Sequence, residues 1–457
     1  MIISNEEIYL IYIGIIMDGT TILISMAGLL FMAYLGVPLV YSLATGCIFG
    51  AYLSTGDWDI AFSMMGQTAF GAIREYVLVV ISMFTIMGLI MERSGAAQDL
   101  FTVANRWLKR IPARLAVATI FANAIFSAVT GVGIASTATF SRIAYPAMRK
   151  LNYQKGFALG SVAGSTVLGM LIPPSVLMVV WALLTEQSIA KLYLAAMAPG
   201  LILTLLFAFY CILAAIIKPE IAPSSKNVSD SFLLDSDIDR RQETIGALGI
   251  TTLIVITLGG LWIGWFTATE ASSVGMLGSF ILGRAKGMKW KDMWQATKGA
   301  GPLVAPIMLL IISAQMYSKL LAFEGTTDWL KASMDAMNIG PLAALVAMLI
   351  LWLILGTLLD SMSTLLLSVP IFWPVAQSYG IDPMVFCLVG ILVIEAGILT
   401  PPLGMAVFIV KSSVKDDVTL NEIYWGALPY CVITILFAFS LIIWPEIVSW
   451  PAKILGV

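Results

Sequence analysis

Two stretches of this sequence decide the fold: Gly169-Met170-Leu171-Ile172-Pro173-Pro174-Ser175 and Gly397-Ile398-Leu399-Thr400-Pro401-Pro402-Leu403-Gly404. Each lies in an apolar segment, and the second proline pair follows the first at half the length of the 457-residue chain. A Pro-Pro pair beside glycine interrupts an α-helix, because two backbone donors are missing and the rings clash with the preceding turn. Within a bilayer, interrupted backbone is tolerated only where protein or a water-filled cavity satisfies it. Two such breaks at equivalent places in two halves point to the binding site of a transporter.

The composition is that of a polytopic membrane protein. Hydrophobic residues make up 60% of the chain and charged residues 11%, against roughly 25% charged in soluble domains. The N-terminus lacks a basic signal-like region, so the first span is expected to be retained. The chain has no histidine, which excludes histidine-based metal sites and general bases, and its four cysteines show no CxxC spacing and are interpreted as packing residues. Apolar segments suited to crossing a bilayer, which takes about 20 residues, lie near 16–35, 38–56, 74–91, 156–184, 192–217, 244–264, 267–283, 299–322, 384–410 and 427–449.

The charge pattern predicts a re-entrant hairpin at 114–148. Basic clusters flank this apolar stretch at both ends, around Arg110 and Arg149, and basic loops face the cytoplasm. A hairpin that enters and leaves from the cytoplasm places both ends on that side, with its tip at 130–137. The alternative is two short full crossings joined by a tight turn, although arms of about 15 residues fall short of the ~20 needed.

The second half repeats this organisation. When the sequence is aligned with itself so that Pro173 matches Pro401, Pro146 also matches Pro374 and Gly36 matches Gly264. Internal repeats related by such a repeat shift are typical of transporters. A second hairpin at 341–378, with its tip at 356–364, has few flanking cations and is expected to enter from the periplasm. We therefore predict an all-α fold of two inverted-topology repeats, 1–217 and 244–457, joined by a cytoplasmic linker at 218–243. Each repeat would hold scaffold helices (16–91; 244–322), a re-entrant hairpin, a broken helix (156–184; 384–410) and a final helix (192–217; 427–449).

The two tips and two breaks are expected to meet near the membrane midplane. Exposed amides at half-helix N-termini attract anions, whereas unwound carbonyls and hydroxyls suit a small hard cation such as Na⁺. Each hydroxyl could instead bond to the preceding helical turn or pack between helices. The oxygen-bearing side chains are Thr130, Ser136, Thr137 and Ser175 in the first half and Thr357, Asp360, Ser361, Ser363, Thr364 and Thr400 in the second.

Three acids lie within apolar segments and are functional candidates, since a carboxylate at bilayer depth is costly. Asp360 could ligate a cation or cap the amides of the second tip. Glu270 is near a span end, where a structural cap is the favoured interpretation. Glu395 precedes the second break by two residues and could brace it or contact an ion.

These motifs resemble the large membrane subunit of tripartite ATP-independent periplasmic (TRAP) transporters. The resemblance rests on the two breaks, TATEA at 267–271, GxxxDxxSxxxLxxPIxxP at 356–374 and SGAAxxLFxxANRWLxRxPxxLA at 94–116, and it covers essentially the whole chain. It implies an inner-membrane secondary transporter of the ion-transporter superfamily, with elevator-type movement and Na⁺ as coupling ion, and no other cofactor. It also implies two partners, a small four-span membrane subunit and a soluble periplasmic substrate-binding protein. Family substrates are mostly small carboxylates and sulfonates.

The resemblance also assigns candidate sites to this chain. One Na⁺ site would join tip 130–137 to break 169–175, another would join tip 356–364 to break 397–402, and the substrate would lie between the tips. Helices 16–56 and 244–283 would form a static scaffold that contacts the small subunit, which is expected as a separate chain because this one begins with large-subunit sequence. The Na⁺ candidates are Thr130, Gly133, Ser136, Thr137, Gly169, Thr357, Asp360, Ser363, Thr364, Gly397 and Thr400. The substrate candidates are Thr130, Gly131, Ser136, Pro173, Pro174, Ser361, Ser363, Pro401 and Pro402.

Three competing interpretations remain at this stage. A stand-alone Na⁺-coupled dicarboxylate symporter or antiporter of the same superfamily would work without a binding protein. An intramembrane aspartyl protease would need two deep aspartates, and only Asp360 is deep. A channel is disfavoured because mirrored broken helices indicate alternating access.

Overall fold

A computed structural model describes residues 23–29, 31–32, 35–131, 133–223, 240–414 and 418–455, and every regular element in these ranges is a helix. Most of the predicted linker, the start of the first span and Val132 of the first tip lie outside the described residues. In the first half, residues 23–29 and 31–32 are helical, and the further helices are Leu39–Thr55, Trp58–Ile73, Leu78–Arg93, Ala96–Trp107, Arg114–Thr130, Gly133–Lys150, Lys155–Ser165, Leu168–Leu171, Val176–Thr185 and Ile189–Ile217. Those of the second half are Arg240–Ile263, Ala268–Ala285, Trp290–Phe323, Thr326–Ala336, Pro341–Leu358, Ser361–Ser378, Pro383–Gly397, Met405–Ser413, Leu420–Ile443 and Glu446–Leu455.

The same sequence of elements occurs in both halves. Gly36 and Gly264, which the repeat shift aligns, both have φ of 83° and end the turn before a long helix, a conformation that favours glycine. One element differs in continuity. The pair Trp58–Ile73 and Leu78–Arg93 is bent by 48° at its junction, whereas the corresponding segment Trp290–Phe323 is one helix despite two internal prolines.

The predicted membrane character is confirmed, with corrected boundaries. Six helices among the described residues are long and apolar enough to cross a bilayer, or seven if the bent pair is one span. The span predicted at 427–449 begins earlier and ends at Ile443, because Pro445 starts a separate helix, Glu446–Leu455. The helix predicted from 244 already begins at Arg240, inside the expected linker.

An amphipathic helix that the span prediction omitted precedes each hairpin. These helices are Ala96–Trp107 and Thr326–Ala336, and each follows a glycine with positive φ, Gly95 at 76° and Gly325 at 68°. The first is tied to the second half by two ion pairs. Lys286 Nζ contacts Asp99 Oδ2 with both side chains nearly buried, and Arg106 Nη2 lies 2.6 Å from Glu243 Oε2.

The two halves interlock through close backbone contact. Gly156, Gly160 and Gly164 form a small-residue stripe on Lys155–Ser165 that faces Gly426 and Tyr430 of Leu420–Ile443. A Cβ added to Gly160 would lie 2.0 Å from the Gly426 carbonyl oxygen. Because hydrophobic burial does not drive helix association within lipid, this van der Waals packing between small residues helps to hold the halves together, beside the two ion pairs.

Candidate functional site

The first hairpin consists of Arg114–Thr130 and Gly133–Lys150, of 17 and 18 residues. Residues 133–137, predicted to lie in the tip, already form the first turn of the second arm. Gly131 ends the first arm with φ of 63°. The arms are longer than the ~15 residues expected, so length does not separate a re-entrant hairpin from two crossings. The burial of Thr130 and Gly131 nevertheless places this tip inside the protein.

This tip contacts the first break directly. The Val176 N–H donates to the Gly131 carbonyl at 3.2 Å, and a Cβ on Gly131 would lie 3.0 Å from the Pro174 carbonyl oxygen. A Cβ on Gly169 would lie 2.9 Å from Gly133 Cα. Glycine at these positions therefore lets the hairpin and the broken helix approach to backbone contact.

The hydroxyls of the first tip are mostly engaged. Ser136 and Thr137 both donate to the Gly133 carbonyl, at 2.9 and 2.8 Å, and Thr137 Oγ1 also lies 2.6 Å from Thr166 Oγ1. Both hydroxyl protons are thus used in helical back-bonds, so Thr166 is the donor to Thr137 Oγ1. At least one lone pair of each oxygen stays available to a cation. Thr130 Oγ1 is buried and has no hydrogen-bond partner.

A polar cluster in the first half was missed by sequence reasoning. Asn123 Nδ2 donates to Ser165 Oγ at 2.8 Å, and Ser127 Oγ donates to Asn123 Oδ1 at 3.3 Å, all three side chains being fully buried. The available signal was an asparagine in an otherwise apolar arm, since polar groups inside a membrane bundle are satisfied across helices. This cluster joins the hairpin to the broken helix beneath the tip.

The first break leads into a helix whose N-terminus is capped. Ser175 Oγ accepts from the Met178 N–H at 3.4 Å, and Tyr193 OH donates to the Ser175 carbonyl at 3.2 Å. Pro173 and Pro174 are buried here, whereas their counterparts Pro401 and Pro402 are exposed. The two breaks are thus alike in sequence but differ in solvent access.

The second hairpin consists of Pro341–Leu358 and Ser361–Ser378, and its turn is confined to Leu359 and Asp360. Residues 356–358 and 361–364 of the expected tip are therefore helical. Asp360 Oδ2 accepts from the N–H groups of Met362 and Ser363, both at 3.1 Å, so this carboxylate caps the second arm. Of the two roles foreseen for Asp360, capping is the one that the geometry displays.

The second tip contacts the second break as the first tip does. The Gly404 N–H donates to the Thr357 carbonyl at 3.3 Å, and the shift that brings Pro173 onto Pro401 brings Val176 onto Gly404. A Cβ on Gly397 would lie 2.8 Å from Gly356 Cα. The equivalent amides of the two halves thus each bond to the hairpin of their own half, although the acceptor Thr357 is not the residue that the shift pairs with Gly131.

The remaining side chains of the second site have varied partners. Thr357 and Thr400 donate to helical carbonyls, of Ile354 at 2.8 Å and of Ala396 at 2.7 Å. Ser361 Oγ donates to Glu395 Oε1 at 2.6 Å, whereas Thr364 Oγ1 is buried without a partner. Glu270 lies apart from this site, and its predicted cap is confirmed as a capping box with Thr267.

The two halves meet crosswise at these sites. Val176–Thr185, after the first break, packs against Ser361–Ser378 of the second hairpin, and Met405–Ser413 packs against Gly133–Lys150 of the first. All four helices begin at a tip or a break, and within each half the tip and the break are in backbone contact. The dipoles of helices that start at such a contact make it favourable for an anion.

Comparisons with known proteins agree with this architecture. Two solved transporters share the fold: YdaH of Alcanivorax borkumensis has a TM-score of 0.57 at 13% identity, covering 88% of this chain and 91% of its own. MtrF of Neisseria gonorrhoeae, an antimetabolite efflux pump, has a TM-score of 0.58 at 12% identity, covering 87% and 85%.

Sequence relatives are closer. The C4-dicarboxylate TRAP transporter large permease protein DctM of Pseudomonas aeruginosa is 31% identical over 366 residues, 80% of this chain and 83% of the relative. The ectoine large permease protein TeaC of Halomonas elongata is 28% identical over 94% of this chain and 97% of its own length. The sialic acid large permease protein SiaM of Vibrio cholerae is 28% identical over 92% and 96%. Residues 23–447 match the family described as tripartite ATP-independent periplasmic transporter, DctM component. The chain therefore belongs to this family of large TRAP permease subunits, which are integral inner-membrane transporters and not enzymes.

Proposed function

We propose that this subunit carries a small organic anion, a carboxylate or a sulfonate, into the cell together with Na⁺. TRAP large permeases work with a small membrane subunit and a periplasmic binding protein, and we propose that a separate four-span subunit and a binding protein that delivers the anion serve this chain. Na⁺ is cargo in this scheme, and its inward gradient drives the uptake. Relatives named for dicarboxylate, ectoine and sialic acid support an organic solute without selecting one.

The crosswise packing of four helices that begin at tips or breaks is the observation that carries the anion proposal. Val176 and Gly404 donate their amides to the hairpins of their own halves, while Met178 donates to Ser175 Oγ and Ala406 to the Ile398 carbonyl. The first-turn N–H groups left for a solute are those of Leu177 and Met405. An anionic solute in this region would be stabilised by those groups. Cotransported cations would offset its charge in the low-dielectric interior, where an unpaired ion is costly.

The Na⁺ proposal is supported by the oxygen chemistry of both tips. Backbone carbonyls and hydroxyls without nitrogen or sulfur ligands suit a hard monovalent cation. Gly133 and Gly356 bring backbone close to the broken helices, so carbonyls from two elements can converge on one ion. The orphaned Thr130 and Thr364 hydroxyls are the side chains that we assign first to such sites.

The test is uptake into liposomes that contain this chain and the small subunit, with the binding protein outside. Candidate anions are first ranked by thermal shift on the binding protein. We expect accumulation with an inward Na⁺ gradient and none when Na⁺ is replaced by K⁺. Unchanged uptake in K⁺ would reject Na⁺ coupling. Uptake that persists without the binding protein would instead support a stand-alone symporter or antiporter.

A further inference from the structure

Glu395 is a fully buried acid, and the protein supplies a hydrogen-bond donor to only one of its two carboxyl oxygens. Its Oε1 accepts from Ser361 at 2.6 Å, while its Oε2 is buried without a hydrogen-bond partner. No Lys or Arg of the described residues pairs with it. A buried carboxylate with one free oxygen is strongly destabilising unless a cation or a further donor completes its shell.

A second unpartnered oxygen lies on the face that Glu395 contacts. Thr364 is fully buried and its Oγ1 has no partner. It follows Ser361 by three residues in one helix, so the two side chains share a face. Since Ser361 reaches Glu395, that face looks toward the helix Pro383–Gly397, which packs against it. Two orphaned oxygens therefore lie on helices that pack together beneath the second tip and that are joined by the bond between Ser361 and Glu395.

This arrangement has no counterpart in the first half. The repeat shift that brings Pro173 onto Pro401 places Val167 on Glu395, and Val167 is buried and apolar. The Thr364 equivalent is Ser136, whose hydroxyl is satisfied by the Gly133 carbonyl. The polar cluster of the first half, Asn123 with Ser127 and Ser165, is uncharged and internally hydrogen bonded. In the first half the carboxylate that reaches the hairpin is Glu92, which is half-buried and accepts a hydrogen bond from Thr139 further along the second arm. The fully buried carboxylate beneath a tip, with an unpartnered oxygen, is thus a feature of the second half.

We propose that Glu395 Oε2, together with the Thr364 and Ser361 hydroxyl oxygens, binds a Na⁺ ion beneath the second tip. The site extends below the turn at 359–360, where the Asp360 carboxylate is engaged in capping. The proposal rests on the Na⁺ coupling proposed above and adds that the two halves hold Na⁺ unequally. The carboxylate site binds the ion more tightly, because it alone supplies a full negative charge. The ion in turn fixes Ser361, and with it the start of the second arm.

The experiment is Na⁺ binding to the purified two-subunit membrane complex, measured by thermal shift and by radioactive sodium stoichiometry, with K⁺ as the reference cation. The test variant is Glu395→Gln, which keeps the shape and an acceptor for Ser361 but removes the charge. We expect its Na⁺ half-saturation to rise at least about tenfold and one bound Na⁺ to be lost. The matched control is Glu270→Gln, since Glu270 is an exposed capping acid, and it should bind Na⁺ as the unmodified complex does.

The outcomes separate the two proposals. If the unmodified complex shows no Na⁺-specific binding, the coupling proposal fails and this one with it. If that complex binds Na⁺ and Glu395→Gln retains its affinity and stoichiometry, only the Glu395 site is refuted, and water or a proton completes the carboxyl. Should Glu395→Gln fail to fold, Thr364→Val provides the same test, because it removes an orphaned oxygen while leaving the charge in place. Unchanged Na⁺ affinity in Thr364→Val would then overturn the site.

Discussion

Gly160→Ala tests whether backbone contact between the broken helix and the last long helix holds the two halves together. The new Cβ would lie 2.0 Å from the Gly426 carbonyl oxygen, far inside the 3.4 Å at which ordinary contact begins. The obstacle is backbone, so the helices Lys155–Ser165 and Leu420–Ile443 must move apart. A gap of ~0.5–1 Å forfeits a quarter to a half of each contact. We therefore expect the free energy of unfolding of Gly160→Ala to fall by an amount near the upper end of the ~1–3 kcal/mol that is typical of overpacking.

The assay is thermal unfolding of the detergent-purified protein, with fluorescence-detected size exclusion as a check on folding. Gly259→Ala is the control, because it lies inside a long helix and its Cβ would meet nothing within 4 Å. It should unfold at or slightly above the unmodified temperature, whereas Gly160→Ala should unfold several degrees lower. Gly426→Ala would place a Cβ 2.0 Å from the Gly156 carbonyl oxygen, so the double variant should lose less than the sum of the two losses. A Gly160→Ala protein as stable as the control, or strict additivity in the double variant, would refute the argument.

Three further predictions follow from single contacts. Asp99→Asn should lower the free energy of unfolding by about 3–5 kcal/mol, because it leaves the nearly buried Lys286 ammonium unpaired. Thermal unfolding measures this loss. Adding Lys286→Met should restore most of the lost stability, and a double variant without recovery would contradict the pairing. Asp360→Ala should lower the free energy of unfolding by about 1 kcal/mol, because the N-cap is lost. Asp360→Asn keeps the cap but removes the charge, so we expect it to weaken the Na⁺ dependence of uptake more than it lowers the yield of folded protein. Ser136→Ala removes a candidate Na⁺ ligand and one helical back-bond. It should therefore lower Na⁺ affinity with little change in the free energy of unfolding, and equal losses of both would indicate a structural role.

Sequence reasoning located the hairpins and breaks well but placed the turns too broadly. The breaks were visible because Pro-Pro beside glycine has few helical solutions. The tips were predicted at 130–137 and 356–364, yet residues 133–137, 356–358 and 361–364 are helical. Gly, Ser and Thr have low intrinsic helix propensity, but tertiary packing overrides it, because the buried helical backbone is satisfied internally and Ser and Thr bond to the preceding turn.

Local hydrogen bonds of the buried and capping side chains could be predicted from the sequence, whereas hydrogen bonds between distant residues could not. The Thr267–Glu270 cap was foreseen because a capping box is local, joining an N-cap to the third residue after it. The Glu395–Ser361 bond joins residues 34 apart, and the Asn123–Ser165 bond residues 42 apart. Neither pairing has a sequence signature, since each depends on how two helices are rotated against one another.

By itself, the sequence determined the membrane class, the two-fold repetition and the interruption of two helices, because hydropathy, internal identity and proline chemistry are properties of the chain. Only the tertiary structure decided that the helices after the breaks pack on the opposite half's hairpin, that Pro173 and Pro174 are buried while Pro401 and Pro402 are exposed, and that one carboxyl oxygen of Glu395 has no partner. These features arise from contacts between segments that lie far apart in the chain, where packing and burial are set by the whole fold.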